Sequence, residues 1–168
     1  MSSVEQSYFK DIRSLLLRKG ERYDWPLKAE FLGEVIIRVS TDTKVRTSII
    51  GPHVESVEVY GDRTFTFRAQ PGTEFLISII NEQTGIFGKN ANVTLEVEMR
   101  GPKKAIEVMD KIRNYVHMLL EAPDLYLMVQ DDVKETLKQV AEVWSSLGDN
   151  SKTVIKDLMN IVKKIEEK

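Results

Sequence analysis

The chain has 168 residues, of which 42% are hydrophobic, and a formal net charge of −2. This composition suits one folded domain, and the charge excludes the strongly basic surface that binding to nucleic-acid phosphates requires. The absence of cysteine excludes disulfide bonds, thiolate metal sites and cysteine nucleophiles.

The composition also bears on location. Acidic residues interrupt the first 20 residues, which argues against a signal peptide, and no run approaches the roughly 18 apolar residues of a membrane-spanning helix. We therefore expect a cytoplasmic protein without a membrane span. Abundant Lys and Glu with little Gln and Asn is typical of thermophilic proteins.

Residues 1–22 predict an amphipathic helix. Ser2 followed by Glu5, or Ser3 followed by Gln6, is typical of a capping box at a helix start, and Gly20 is typical of a helix end. The apolar residues recur at helical spacing: Val4, Tyr8, Ile12, Leu15 and Leu16. A helix with such an apolar face must pack against the rest of the protein.

Residues 27–101 predict six or seven short strands. Tyr23–Pro26 forms a break, and beyond it apolar and polar residues alternate with period two, most clearly over 91–99. Residues 75–80 are almost entirely apolar, as in a strand covered on both faces, and Gly33 indicates a bulge or bend. Because turn signals recur about every 8–12 residues with no helix between them, we predict an antiparallel β-sandwich.

Residues 102–168 return to a helical period. Apolar stripes run from Ala105 to Ala122, from Val129 to Leu147 and from Val154 to Ile165, with breaks at Pro123 and Gly148. Short connections favour antiparallel neighbours, so we predict a helical hairpin or a three-helix bundle. The predicted fold class is α+β.

The chemistry-bearing residues are few. His117 and Glu121 share a helix face and could hold a metal, but two ligands are too few for a site. The acidic residues near Asp131 are interleaved with lysines, which indicates a solvated helix face. No catalytic residues, cofactor site or metal site are predicted.

The loop near Gly85 has a glycine-rich sequence but lacks the spacing of a phosphate-binding loop. We interpret it as a hairpin loop. Its tip carries Ile86 and Phe87, which either fold back over the sheet edge or stand exposed as a contact patch.

Residues 60–99 contain, in order, a phenylalanine-rich strand, a Pro-Gly turn, an apolar strand ending in Asn, a loop and an alternating strand. The residues in this pattern are Phe65, Phe67, Pro71, Gly72, Phe75, Ile77, Ile79, Asn81, Lys89, Val93, Leu95 and Val97. The pattern resembles the Golgi-dynamics (GOLD) β-sandwich family. In the cargo receptors of that family, as after Pro102 here, helix follows the sandwich directly.

The resemblance implies protein–protein binding and assembly, linked to membrane traffic or lipid-related proteins. The chain departs from the cargo receptors in lacking a cysteine pair and an apolar span.

The expected function is that of a non-enzymatic interaction protein with a protein partner of unknown identity. Met109, Tyr115 and Met118 lie on a helical stripe wider than one neighbour needs, which predicts homo-oligomer formation through the helices. Ile86 and Phe87 are the other predicted contacts. The alternative is a small ligand-binding or enzymatic domain with a pocket between sandwich and helices, near His117 or Asp131.

Overall fold

The computed structural model describes residues 4–168. Six β-strands precede three α-helices, and short 3-10 turns adjoin α2. The elements are β1 Glu5–Leu17, β2 Arg22–Lys28, β3 Gly33–Ile50, β4 Val54–Ala69, β5 Glu74–Ile80, β6 Ala91–Pro102, α1 Lys103–Glu121, α2 Tyr126–Val143 and α3 Asp149–Glu166. The α+β class and the C-terminal helices are confirmed.

The predicted N-terminal helix is wrong, because Glu5–Leu17 forms strand β1. Its whole length pairs antiparallel with β6, from Glu5 opposite Pro102 to Leu17 opposite Ala91. Ile12 and Leu16 are 56% and 55% exposed and lie on its outer face. The apolar residues of this segment fit both the helical period and the strand period of two, and long-range pairing overrides a local helical preference. Ser2 and Ser3, the alternative predicted caps, lie outside the described residues.

The sheet is organised around β3. The strand order is β1-β6-β3-β5-β2, with β4 paired to β3, and every pairing is antiparallel. One edge of β3 pairs first with β6, over residues 34–41, and then with β5, over residues 46–50. Its other edge pairs with β4, and the register shifts between Thr41 and Val45. The sheet is therefore curled along a bent central strand.

The curled sheet surrounds its own apolar core. Inward residues of β3, such as Ile37 in the first half and Ile49 in the second, belong to one cluster. The same cluster contains Ile77 of β5 and Leu95 of β6, although those two strands do not pair with each other. The two halves of the sheet therefore pack across a shared interior.

Some predicted strand boundaries are wrong, for two different physical reasons. Trp25 and Pro26 lie within β2 instead of forming a break, which is tolerated because β2 is at the sheet edge. The sequence also predicts a polar turn at Thr41–Lys44 and a strand end at Gly61-Asp62, whereas these residues lie inside β3 and β4. Polar residues and glycine are compatible with a strand where it bends.

The helices form a second apolar cluster, which the connection between β2 and β3 joins to the sheet. Phe31 of that connection packs among residues of all three helices. Tyr8 of β1 contacts both clusters, and its ring meets that of Phe31 edge-on at 4.9 Å between centroids. Within residues 4–168, no helix is both long enough and apolar enough to cross a membrane.

Gly33 offers a test of the close packing between β3 and β6. A Cβ atom at this position would lie 1.8 Å from the carbonyl oxygen of Arg100, so the strands would have to move apart. We expect Gly33→Ala to lower the free energy of unfolding by about 1–3 kcal/mol or more, measured by chemical denaturation. Thr64→Ala, at an exposed position of β4, is the control, and equal midpoints for the two variants would contradict the expectation.

Candidate interaction sites

A polar cluster connects the helices to the sheet. The Ser151 hydroxyl at the start of α3 donates a 2.7 Å hydrogen bond to the Glu30 carboxylate, and Arg113 of α1 donates to the same oxygen. The backbone oxygen of Glu30 also accepts from the amide of Gly148 at 3.0 Å. Ser151 is fully buried, so these bonds satisfy a hydroxyl that has no access to solvent. The cluster is a structural joint.

The joint contains little free space. A cavity of about 60 Å³ borders it, lined by Lys28, Glu30, Gly72, Gly148, Asp149 and Asn150. This volume has room for a few water molecules only.

The residues considered for metal or acid–base chemistry do not converge. His117 is exposed and lies 3.5 Å from Glu121 in a surface pair. The Asp132 carboxylate already interacts with two neighbours: it accepts a hydrogen bond from Tyr115 and lies 3.7 Å from the Lys111 Nζ. Among residues 4–168 no group of three or more possible ligands surrounds a common point.

The far end of the helical region carries an exposed apolar groove. Its volume is about 720 Å³, and it lies where the end of α1, the turn at Pro123–Leu125, the start of α2 and the end of α3 meet. Leu119 and Tyr126 are buried beneath it, whereas Leu120 and Leu127 are 67% and 83% exposed. We name this surface the helical-end groove. Its apolar lining residues are Leu119, Leu120, Pro123, Tyr126, Leu127, Ile161 and Ile165.

The rim of the helical-end groove carries both signs of charge. Asp124 belongs to the turn after α1, Lys164 to the end of α3, and Lys168 follows that helix. At its floor the Tyr126 hydroxyl donates a 2.7 Å hydrogen bond to Glu166. Burial of the ring, followed by this bond to an acidic acceptor, raises the pKa of Tyr126 from 10.0 to about 12.

The three predicted helix contacts are in different environments. Met109 is fully buried in the helical cluster, where its side chain fills the core between α1 and its neighbours and is not exposed to a partner. Tyr115 and Met118 are half-buried. Tyr115 packs on the helical cluster and bonds to Asp132, and its role in an interface stays a prediction, as does that of Met118.

The Ile86-Phe87 tip stands away from the sheet. The two side chains are 86% and 88% exposed, which favours the contact patch over the folded-back alternative. The loop base is held by Lys19, whose Nζ donates to the Gly85 carbonyl at 2.7 Å. Asn81 also bonds across the base, to the carbonyl oxygens of Leu17 and Lys89. The tip therefore extends from a fixed base.

Leu120 and Leu127 were not among the residues predicted to be surface contacts. One signal was present: the segment Leu125–Val129 is a run of five apolar residues, more than one face of a helix can bury. Such a run just after Pro123 places some of its side chains in solvent whichever face packs inward.

Comparisons with known proteins do not assign a family. No protein-family model matches the chain, and no curated protein matches it significantly. Among solved structures, the periplasmic g-type lysozyme inhibitor PliG from Aeromonas hydrophila is 12% identical with a TM-score of 0.41, covering 54% of this chain and 85% of that one.

Two further structures are about as distant. FlhE is 13% identical with a TM-score of 0.39, covering 58% of this chain and 97% of that one. A cupin domain of an XRE-family transcriptional regulator from Enterobacter cloacae is 14% identical with a TM-score of 0.33, covering 58% and 96%. These likenesses are too low to transfer a function.

Glu30 offers a test of the polar joint. We expect Glu30→Ala to lower the free energy of unfolding by about 1–3 kcal/mol, because it leaves the buried Ser151 hydroxyl without this acceptor. Thermal or chemical denaturation measures the change. The control is Glu107→Ala, which removes only an exposed i,i+4 contact of 3.9 Å to Lys103, worth well under about 1 kcal/mol. Equal losses for the two variants would contradict a structural role for Glu30.

Tyr126 generates a prediction about alkaline pH. Its pKa is raised to about 12 in the folded chain and is about 10 when unfolded. Its contribution to stability is therefore complete below pH 10 and is lost as the pH rises towards 12. Burial raises the pKa of Tyr8 as well, so we expect ultraviolet titration to show more than one late-ionising group among the five tyrosines, and Tyr126→Phe to remove one of them. An unchanged titration in the variant would contradict the assignment.

Proposed function

We propose that this chain is a non-enzymatic protein-binding module that self-associates through the helical-end groove. The observation that carries the proposal is the exposure of Leu127 and Leu120 beside a groove with a buried apolar floor. An exposed apolar surface of this kind is typical of a protein contact.

The shape of this surface supports a second copy of the chain as the occupant. Leu127 projects at the wall of the groove, so one surface offers both a protruding side chain and a depression. In a two-fold dimer the same patch is used by both subunits, and each copy places its Leu127 in the groove of the other. Burying one leucine stabilises an interface by about 1.5–3 kcal/mol, and a symmetric dimer gains this contribution twice.

The charges support the same occupant. Asp124 of the turn after α1 and the two lysines at and after the end of α3 line the same groove. Because the groove carries both signs of charge, two copies are able to pair Asp124 of one with Lys164 of the other. A strongly acidic or strongly basic partner would instead meet a like charge in the groove.

In this proposal a protein partner of unknown identity binds at the sheet, through the Ile86-Phe87 tip. The Ile86-Phe87 tip lies at the start of β6, whereas the helices follow the end of that strand, so the two apolar features are far apart along the chain path. One chain is thus able to engage its own copy and another protein.

We infer that the two halves of the curled sheet act as the layers of a β-sandwich, since one apolar cluster contains residues of both.

The GOLD resemblance and the cytoplasmic location stay predictions. The resemblance is consistent with an assembly role, and the low TM-scores of the solved structures neither support nor oppose it. The alternative is an enzyme or ligand pocket between sheet and helices. Two spaces lie there: the joint cavity of about 60 Å³, and a surface cavity of about 510 Å³ beside the connection from β6 to α1. The polar side chains of the larger one are three lysines, Glu107 and Gln139, and neither His117 nor Asp131 lines it.

Leu127→Glu tests the dimer. We expect the unmodified chain to sediment as a dimer at high concentration, and Leu127→Glu to sediment as a monomer with little change in stability, because residue 127 is largely exposed. Analytical ultracentrifugation over a concentration series measures the change.

The matched control is Met159→Glu. Met159 is 54% exposed on α3 and does not line the helical-end groove, so this variant should still dimerise. A monomeric unmodified chain at high concentration would overturn the proposal, and equal disruption by both variants would place the interface elsewhere.

A further inference from the structure

A separate cavity opens at one end of the curled sheet. It lies between the turn that joins β3 to β4 and the turn that joins β4 to β5, and its volume is about 300 Å³. We name it the sheet-end cup. Its residues lie on the sheet and its turns, so it shares no side chain with the helical-end groove.

The floor of the sheet-end cup is aromatic and aliphatic. Ile49, Phe65 and Phe75 line it and are almost completely buried, and Phe67 is half-buried beside them. The rings of Phe67 and Phe75 meet edge-on, with centroids 5.2 Å apart and an interplanar angle of 86°. This arrangement leaves part of the Phe67 ring accessible from the cup, where a flat apolar molecule would make aromatic contacts.

Hydrogen bonds hold the two turns at the rim. The amide of Gly51 donates to the His53 carbonyl at 3.1 Å. In the other turn both the amide and the hydroxyl of Thr73 donate to the Gln70 carbonyl, at 3.1 and 2.7 Å, and the Ala29 amide donates to the Thr73 carbonyl at 2.8 Å. The rim therefore needs little reorganisation when a ligand enters, which lowers the cost of binding.

Gly51 brings the first turn close to the floor. A Cβ atom at this position would lie only 3.2 Å from the Cβ of Phe75, so the close approach of the turn favours glycine. The turn thereby forms one wall of the cup.

The charged residues of the cup are engaged with partners. Glu55 lies 3.8 Å from Arg63, and Arg68 lies 3.0 Å from Glu5. Each charge thus has a compensating neighbour, and His53 and Gln70 remain as polar rim residues able to exchange hydrogen bonds with a ligand. Because these charges already have neighbours of opposite sign, the cup favours a neutral ligand over an anion or a cation.

We propose that the sheet-end cup binds a small neutral molecule that is mostly apolar, with one or two rings and a polar group directed to the rim. The size follows from the volume, which is at the lower end of the range of about 300–1,000 Å³ for ligand cavities. The aromatic floor favours a flat ring, and the polar rim favours one hydrogen-bonding group. This site is independent of the proposed self-association.

The experiment is a titration of the full chain with indole and with cyclohexanol, followed by two-dimensional amide NMR. Indole is flat and neutral with one N–H donor, and cyclohexanol is a neutral ring without an aromatic face. We expect saturable shifts at residues 51–55 and 66–75, larger and at lower concentration for indole. Indole-3-acetate, which adds a negative charge, should bind more weakly than indole.

Gln70→Trp tests the location. Gln70 is exposed at the rim, and its turn bonds use only its backbone carbonyl, so a bulky side chain there obstructs the mouth without removing a core contact. We expect a loss of indole affinity of at least about tenfold, or 1.4 kcal/mol. His53→Trp, at the other turn, is the second obstructing variant.

The matched control is Thr64→Trp, an exposed position of β4 outside the cup, which should bind indole normally. Leu127→Glu should also bind normally, which separates this proposal from the dimer. The proposal is overturned if neither neutral probe gives saturable shifts, if the shifts lie on the helices, or if both obstructing variants bind like the control.

Discussion

The pairing of β3 with three other strands is the constraint on which the structure depends. Its 18 residues hydrogen-bond to β4 on one edge and to β6 and then β5 on the other. Because β6 and β5 occupy successive parts of the same edge, the sheet must curl where β3 bends. Ion pairs on the outer face support the register between β3 and β6, since Arg38 lies 3.1 Å from Glu96 and 3.3 Å from Glu98.

The curl explains where functional surfaces remain. The interior of the sheet is filled by its own side chains, so it offers space only at an end, where the turns leave the sheet-end cup. The helices are fixed to the sheet by Phe31, Tyr8 and the bonds around Glu30, and the cavity beside Glu30 has a volume of only about 60 Å³. The exposed apolar surface of the helices is consequently at their far end, where the turn after α1 reverses the chain.

Much of the fold was predictable where one period dominates locally. The stripes after Pro102 match three helices, and the alternation over 91–99 matches β6. The N-terminal segment was not predictable in this way, because Tyr8, Ile12, Leu15 and Leu16 fit a helical face and also occupy a paired strand. The candidate site residues also differ in how far the sequence could predict their environment. The Ile86-Phe87 tip followed from two apolar residues between glycines, whereas Met109 could not be recognised as core from a stripe that is apolar on more than one side.

The amino-acid sequence by itself determined the α+β class, the change of period at Pro102 and the scarcity of groups for catalysis, because composition and local periodicity are properties of short segments. Only the tertiary structure decided that residues 5–17 pair with β6, that the sheet curls around β3 and that Leu120 and Leu127 face solvent. These features depend on contacts between residues far apart in the chain. Long-range backbone pairing and the burial of apolar side chains select among conformations that the local pattern leaves open.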